Sequence, residues 1–475
     1  MARALCAVLA FHAMRSVNLT DHIVKLTGVM HVFILSIEQI NMHITATEFQ
    51  EQGQKREAKR PQILYLAWFG NRVSAIPTGH PGQESGCALL VKDRPMGLSK
   101  TIWATPTEYL RHHSPDHPVL FFSPAILQAT ARRFIKGFPG LVTYAVKSNP
   151  DETVLANLVA AGVKGFDVAS PVEMDTIARI APGAHLHYNN PVRSRSEIRH
   201  AVAMGVASYS VDSHSELVKL GELVPANGVE ISVRFTLPVE GAAYNFGAKF
   251  GASVEKAVDL LTLTEQLGFT PSLTFHPGTQ CTDPRAWDSY IRAAADIAKA
   301  AGVKIARLNV GGGFPSHRLN EVMPQLEATF DLIARVTKEA FGPDAPKLVC
   351  EPGRGLVAES YSLATRVKAI RDDAHVFLND GVYGALSELH LVGVIDRIGV
   401  FGPFATPRTG TSVMRTVFGP TCDSLDKLPS DLAFPADMEE EDHVMFYGMG
   451  AYSVATATKF NGFGQITLET VQTHR

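Results

Sequence analysis

The sequence predicts an α/β fold in which a TIM-like (β/α)8 barrel is followed by a mainly β C-terminal domain. Between residues 123 and 357, eight short runs of β-forming residues alternate with segments of helical periodicity, and this alternation is typical of a parallel barrel. From residue 358 to 475, strand-like runs are often interrupted by Gly and Pro, which favours a separate β domain. The predicted strands of that domain are 361–370, 390–400, 443–447 and 465–470.

The eight predicted barrel strands are short and apolar, and each ends at a turn or a polar motif. Helical segments such as 151–161, 172–180 and 254–267 separate them. Functional side chains of such a barrel gather at the carboxyl ends of its strands, so the motifs that follow the strands form the candidate site. The predicted strands are Leu141–Val146, Gly165–Val168, His185–Tyr188, Ser208–Val211, Ile231–Phe235, Ser272–His276, Arg307–Val310 and Leu348–Glu351.

Residues 1–95 have no clear hydrophobic periodicity, and we predict that they form a poorly ordered N-terminal extension. The apolar segment 23–37 contains Lys25 and His31, so it is too short and too polar to cross a bilayer. The alternatives for this region are sequence translated upstream of a start near Met96, or a membrane anchor.

The composition is that of an ordinary globular protein with more than one domain. A chain of 475 residues is too long for a single compact core, and a net charge of −3 gives no electrostatic case for binding nucleic acid or an anionic membrane. The histidines and cysteines show no CxxC or metal-ligand pattern, so we expect reduced thiols, a cytoplasmic location and no metal site. The cysteines are Cys6, Cys87, Cys281, Cys350 and Cys422.

Lys147 is the residue on which the prediction of function depends. It lies in residues 144–150 (YAVKSNP), an apolar run that predicts a buried strand ending at Asn-Pro. An amine at the carboxyl end of a barrel strand lies near the barrel mouth, where it can form an imine with a carbonyl cofactor. Taken alone, a lysine at a strand end is more often a solvated or salt-bridged side chain.

Seven further motifs follow Lys147 in a fixed order. They are Phe166–Glu173, Phe275–Thr279, Gly311–Pro315, Glu351–Gly355, Asn379–Gly384, Gly419–Asp426 and Gly450–Tyr452. Together these motifs resemble the pyridoxal-phosphate-dependent ornithine decarboxylases, within a group that includes the diaminopimelate and arginine decarboxylases. The resemblance extends from about Phe121 to the C-terminus. It implies the alanine racemase-like fold of type III, with residues 96–122 contributing to the β domain.

The resemblance implies pyridoxal 5′-phosphate as the cofactor, which withdraws the electrons left on Cα when a carboxylate departs. Lys147 would bind the cofactor covalently, Glu351 would pair with its ring nitrogen, and His276 would stack on its ring. The resemblance implies that the lysine and the cofactor ring are held in position by Asp167, Glu173 and Arg234.

A phosphate site is predicted after the seventh barrel strand. Gly311, Gly312 and Gly313 follow this strand, at the position where barrels commonly bind phosphate through backbone N–H groups. Glycine permits a close approach of the backbone and a positive φ. The resemblance implies that the remaining cofactor contacts come from Thr279, Gly353, Arg354 and Tyr452.

The resemblance also implies a homodimer with shared sites, in which a loop of the β domain reaches the barrel of the other subunit. Cys422 would return a proton to Cα, Asp423 would bind the distal ammonium of a diamino acid, and Tyr383 would contact the substrate. On the residues alone, Cys422 and Asp423 are also consistent with a small buried thiol beside a turn aspartate.

The predicted substrate is a basic amino acid, and the first hypothesis is the conversion of L-ornithine to putrescine in polyamine biosynthesis. Many ornithine decarboxylases carry Tyr-Asp-His after Gly-Val-Tyr-Gly, and that aspartate holds the distal amine. Residues 385–391 contain no aspartate, so Glu388 is the candidate substitute, and lysine, arginine, diaminopimelate or a carboxylated polyamine are alternative substrates. An inactive regulator of the antizyme-inhibitor type is the alternative of another class, and the intact Lys147, Glu351 and Cys422 argue against it.

Overall fold

The structure, a computed structural model, describes residues 101–238, 249–393 and 395–475. The extension predicted at residues 1–95 lies outside the described residues. Within the described part of the chain, no helix is both long and apolar enough to cross a membrane. The same residues contain no group of His, Cys, Asp and Glu side chains arranged as a metal site.

Two short strands and two helices precede the barrel. Each helix begins with proline directly after a hydroxyl N-cap, because Thr105 and Ser123 accept a hydrogen bond from a backbone N–H of the first turn. These elements are β1 (Ile102–Trp103), α1 (Pro106–His112), β2 (Val119–Phe122) and α2 (Pro124–Gly137).

The eight strands that follow close into a parallel barrel, so the predicted fold class is confirmed. They are β3 (Gly140–Ala145), β4 (Gly165–Val168), β5 (His185–Tyr188), β6 (Ser208–Val211), β7 (Glu230–Arg234), β8 (Thr270–Thr274), β9 (Arg307–Asn309) and β10 (Lys347–Cys350). Closure occurs at β10, where Val349 lies opposite Leu141 of β3 and Asn309 of β9. Every predicted barrel strand lies within two residues of its observed bounds.

Helices follow the barrel strands. The N-cap carboxylate of Asp151 accepts the backbone N–H of Thr153 at the start of the first of them, and Gly162, with φ of 106°, ends it. The helices are α3 (Glu152–Ala161), α4 (Pro171–Ile180), α5 (Arg195–Ala203), α6 (His214–Leu223), α7 (Val254–Gln266), α8 (Arg285–Ala301), α9 (Leu326–Phe341) and the short α10 (Arg354–Val357).

A buried aromatic cluster holds the loop that follows β9. The indole N–H of Trp287 donates to the carbonyl oxygen of Val310 at 3.2 Å, and its ring stacks on Phe314 with centroids 5.1 Å apart. Phe134 and Phe330 each contact the Phe314 ring edge-on at 5.6 Å. The glycines between Val310 and Phe314 are therefore fixed at both ends.

The C-terminal domain is a nine-stranded sheet that includes β1 and β2. Its other strands are β11 (Tyr361–Arg371), β12 (His375–Leu378), β13 (Ile398–Phe401), β14 (Ser412–Phe418), β15 (Leu432–Pro435), β16 (His443–Tyr447) and β17 (Thr467–Val471). The strand order is β1-β17-β2-β11-β12-β14-β15, and β16 pairs with β11 and β13. Strand β2, which precedes the barrel, thus lies between two strands that follow it.

The predicted strand at residues 390–400 is wrong in its first half. Leu389–Val392 forms a helical turn, α11, and Gly393 follows it with φ of 75°. Strand β13 begins only at Ile398. A left-handed glycine ends a helical turn readily, and an apolar run this short does not distinguish a turn of helix from a strand.

Candidate active site

A cavity of about 740 Å³ lies at the carboxyl ends of the barrel strands, on the face where such barrels carry their functional residues. Its wall contains every residue predicted to contact the cofactor except Gly311, which adjoins Gly312 in the chain, and Glu173 lies outside the wall. Glu388, Val392 and Tyr452 of the C-terminal domain also contribute to the wall. This cavity is the candidate active site.

Lys147 lies in a short 3-10 turn, Val146–Ser148, that directly follows β3. Its Nζ is 4.0 Å from Oδ2 of Asp167, and its side chain is 54% exposed. Burial of the ammonium disfavours its charge, but Asp167, Tyr452 and Glu351 together outweigh burial and raise the pKa of Lys147. The amine is therefore anchored by a carboxylate and remains accessible from the cavity.

Two hydrogen bonds to the C-terminal domain fix the turn that carries Lys147. The side-chain amide of Asn149 donates to the carbonyl oxygen of Gly450 at 2.9 Å. The backbone N–H of Tyr452 donates to the carbonyl oxygen of Ser148 at 2.7 Å. The position of the lysine therefore depends on both domains.

Two buried carboxyl groups, Asp167 in β4 and Glu351 directly after β10, line the cavity. Burial and the neighbouring Asp167 raise the pKa of Glu351 to about 8. Burial also raises the pKa of Asp167, against the opposing effects of Lys147 and Arg234. A cationic group placed beside Glu351 favours its ionised form, and a protonated pyridine nitrogen is such a group.

Two asparagines that the sequence analysis did not single out contact Glu351. Asn189 directly follows β5, and Asn309 is the last residue of β9. The Nδ2 group of each donates to Oε1 of Glu351. Both asparagines lie at the ends of barrel strands. The same signal in the sequence led to Lys147, and it could have led to Asn189 and Asn309 as well.

His276 is neutral, and a backbone contact selects its tautomer. The N–H of Gly278 donates to Nδ1 of His276 at 3.0 Å, so the ring proton lies on Nε2. Burial, together with the positive charges of Arg234 and Lys147, holds the pKa of His276 well below its usual range. A neutral imidazole in the cavity wall suits stacking on a flat aromatic ring.

The glycine loop and Arg354 form a cradle that fits a phosphate group. Gly311 and Gly313 have φ of 68° and 84°, and a Cβ on Gly311 would lie 2.2 Å from the carbonyl oxygen of Phe275, so these positions require glycine. The guanidinium of Arg354 lies over the ring of Tyr452, 5.1 Å from its centroid. Its Nε is buried without a hydrogen-bond partner among the described residues. Backbone N–H groups and a guanidinium with an unpaired donor are suitable ligands for phosphate.

Glu388 presents no unpaired carboxylate to the cavity. Its Oε2 accepts a hydrogen bond from Nη1 of Arg354, and its Oε1 lies 3.4 Å from Nη1 of Arg318. All three side chains are buried. Val392, one turn of chain later in the cavity wall, is apolar. The candidate substitute for the missing aspartate is thus already paired with two arginines.

Cys422, Asp423 and Tyr383 do not join Lys147 in the cavity of the same chain, because none of the three contributes to its wall. The hydroxyl of Tyr383 donates to Oδ2 of Asp423 at 2.5 Å. The exposed thiol of Cys422 lies 3.3 Å from Oδ1 of Asn461.

This geometry defines a class of protein, a barrel enzyme with a strand-end lysine, a buried glutamate and a phosphate cradle that together suit a phosphorylated pyridine aldehyde. Residues 125–358 match the family model described as pyridoxal-dependent decarboxylase, pyridoxal binding domain. The ornithine decarboxylase of Neurospora crassa is 30% identical over 366 residues, which cover 67% of this chain and 73% of that protein. The chain belongs to the family of ornithine decarboxylase-like, pyridoxal-phosphate-dependent decarboxylases.

Solved structures of related decarboxylases share the fold. The arginine decarboxylase of Paramecium bursaria Chlorella virus is 26% identical with a TM-score of 0.68, covering 76% of this chain and 98% of that one. The lysine/ornithine decarboxylase of Vibrio vulnificus, complexed with putrescine, is 27% identical with a TM-score of 0.64, covering 74% and 94%. The chain is therefore an enzyme of the group that decarboxylates basic amino acids, and pyridoxal phosphate is its cofactor.

Proposed function

We propose that this chain converts L-ornithine to putrescine, a reaction of polyamine biosynthesis. The observation that carries the proposal is the convergence of Lys147, Glu351 and the glycine loop on one cavity. The bound cofactor supplies the electron sink for the pair of electrons that remains on Cα when carbon dioxide leaves. The side chains of the cavity bind the cofactor, orient it and control its protons.

The role proposed for each residue follows from its contacts. Lys147 supplies the amine for covalent attachment, and Asp167 holds that amine at the mouth of the barrel. Glu351 keeps a proton on the ring nitrogen, because a buried carboxylate stabilises a cation beside it. His276 packs in its neutral form against the ring. Arg354 and the glycine loop bind the phosphate group.

We extend the proposal to a homodimer in which Cys422 and Asp423 complete the cavity of the partner subunit. Two observations support it. Both residues lie outside the cavity of their own chain, and the same surface exposes large apolar side chains, with Leu425 70% and Phe460 43% exposed. In this arrangement Cys422 returns a proton to Cα, and Asp423 holds the distal ammonium of the substrate.

Asp423 is the residue proposed to select a substrate with one terminal ammonium. The carboxylate of Glu388 is already shared by Arg318 and Arg354, and Val392 carries no charge. A single carboxylate suits the terminal amine of ornithine better than the second amino-acid head group of diaminopimelate. The Neurospora relative is named for ornithine, and lysine, arginine and a carboxylated polyamine are the competing substrates.

We also propose a cytoplasmic location, which free thiols support. Cys281 and Cys350 are buried, Cys422 is exposed, and none of the three forms a disulfide. Burial raises the pKa of Cys281 to about 11, so this thiol stays protonated at neutral pH and has little reactivity.

The proposal is tested by measuring carbon dioxide release from ornithine, lysine, arginine and diaminopimelate with the purified enzyme. We expect the highest kcat/KM for ornithine. A higher value for another of these substrates would refute the substrate assignment alone. No turnover of any of them by protein that has bound pyridoxal phosphate would instead favour the inactive regulator.

A further inference from the structure

The carboxylate of Glu351 is held by two amides. The Nδ2 groups of Asn189 and Asn309 both donate to the same oxygen, Oε1, and neither bond involves Oε2. We infer that Asn189 and Asn309 are positioning residues, which hold Oε1 of Glu351 and thereby direct Oε2 to the ring nitrogen of the cofactor. This inference rests on the proposed function of Glu351 as the partner of that nitrogen.

Asn309 uses both ends of its side-chain amide. Its Oδ1 accepts the backbone N–H of Gly311 at 2.9 Å, while its Nδ2 donates to Glu351. The backbone N–H of Glu351 in turn donates to the carbonyl oxygen of Gly311 at 2.8 Å. The side chain of Asn309 therefore connects the glycine loop to Glu351. It fixes the distance between the proposed site for the phosphate group and the proposed partner of the ring nitrogen.

Asn189 lies between two carboxyl groups. It donates to Glu351, and its polar groups lower the pKa of Asp167 against the larger, opposite effect of burial. Two buried carboxylates without a donor between them repel, and one of them takes up a proton. The segment is anchored by the buried Arg193, which donates to the carbonyl oxygen of Tyr188 at 3.2 Å. Asn189 is thus rigidly placed to supply an N–H group to each carboxylate.

The isosteric substitution Asn309→Asp separates the two functions of this side chain. Aspartate keeps an oxygen that accepts the N–H of Gly311, so the phosphate loop retains its contact. The donor to Glu351 is replaced by an acceptor, which leaves two carboxyl groups facing each other. The added negative charge also repels the phosphate, but equally for two ligands that share this group, so the effect through Glu351 is the part of the loss that depends on the ring nitrogen.

The experiment compares two ligands of the apo-protein by equilibrium dialysis. One is pyridoxal phosphate, and the other is its 1-deaza analogue, in which a C–H group replaces the ring nitrogen. The phosphate and the aldehyde are the same in both. We define the affinity ratio as the affinity for pyridoxal phosphate divided by the affinity for the analogue. For Asn309→Asp we expect this ratio to fall about tenfold, as the loss of one hydrogen bond to a charged group predicts.

Asn189→Leu provides a second variant that adds no charge, and it should lower the same ratio. Asn157→Asp is the matched control, because it makes the same chemical change in α3, where the Asn157 side chain accepts from Gln128 at 2.8 Å outside the cavity. The control should leave the ratio unchanged. Equal weakening of both ligands by Asn309→Asp and Asn189→Leu would overturn the inference and leave the proposed function intact. If the unmodified protein bound pyridoxal phosphate no better than the analogue, the role of Glu351 itself would be refuted.

Discussion

Arg354 and Glu388 form a buried ion pair that joins the two domains, since Arg354 begins the helix after the last barrel strand and Glu388 directly precedes α11. Arg318 contacts the other oxygen of the same carboxylate. Because Arg354 and Glu388 both line the cavity that contains Lys147, a carboxylate of the C-terminal domain contributes to the charge balance of that cavity.

Glu388→Gln should destabilise the apo-protein by about 3 kcal/mol, because it leaves two buried guanidinium groups without their shared counter-charge. Denaturant unfolding measures the effect. Glu327→Gln is the matched control, since Glu327 pairs with Arg133 at an exposed site, and its loss should cost less than about 1 kcal/mol. Equal effects of the two substitutions would show that the buried network adds no more stability than an exposed ion pair.

Lys147→Ala should abolish covalent attachment of the cofactor and all turnover, because the amine at the mouth of the barrel is removed. The visible absorbance of the purified protein and carbon dioxide release measure the two effects. Lys164→Ala, which removes an exposed lysine, is the control and should behave as the unmodified enzyme. A Lys147→Ala protein with unchanged absorbance and turnover would refute the site assignment.

The stability of the apo-protein should depend on pH through Glu351. Burial and Asp167 raise its pKa from 4.5 to about 8, so the folded protein keeps a proton that the unfolded chain has already lost. Stability from this group is therefore present at low pH and decreases as pH rises from 4.5 towards 8. Burial also raises the pKa of Asp380, to about 7, but Asp380 is unchanged by Glu351→Gln, so the difference in Tm between the two proteins reports Glu351 together with its neighbour Asp167. A difference that does not change with pH contradicts the prediction.

Mixing inactive Lys147→Ala with impaired Cys422→Ala protein tests the shared site. If each site takes its lysine from one chain and its cysteine from the other, half of the sites in a mixed dimer combine both native residues. With random re-pairing at equal amounts, about a quarter of all sites should then regain activity. Absence of recovery despite demonstrated subunit exchange would place both residues in the site of one subunit.

Barrel strands and their terminal motifs could be predicted from the sequence, because each strand is a local apolar run and parallel barrels place strand ends on one face. Lys147 and Glu351 could be predicted in this way, because each follows a barrel strand. Contacts between distant segments were not. The pairing of Glu388 with Arg318 and Arg354 depends on how a loop of one domain packs on the other, and no periodicity in the chain encodes it.

The same limit applies to residues 390–400, where an apolar run was predicted to be a strand. In the structure Gly393 has a positive φ directly after a helical turn, and Val392 lines the cavity. The local hydrophobic pattern contains no information on such tertiary features, so it could not predict the helical turn.

The contacts between the lysine turn and the segment 450–452 determine when the site is completed during synthesis. Asn149 and Gly450 are separated by 301 positions, so Lys147 leaves the ribosome long before the residues that hold its turn exist. Translation proceeds at roughly 5–20 residues per second, which delays these contacts by about 15 to 60 seconds. The nascent barrel therefore carries its lysine before the residues that hold the lysine turn exist, and the site is completed only after synthesis of segment 450–452.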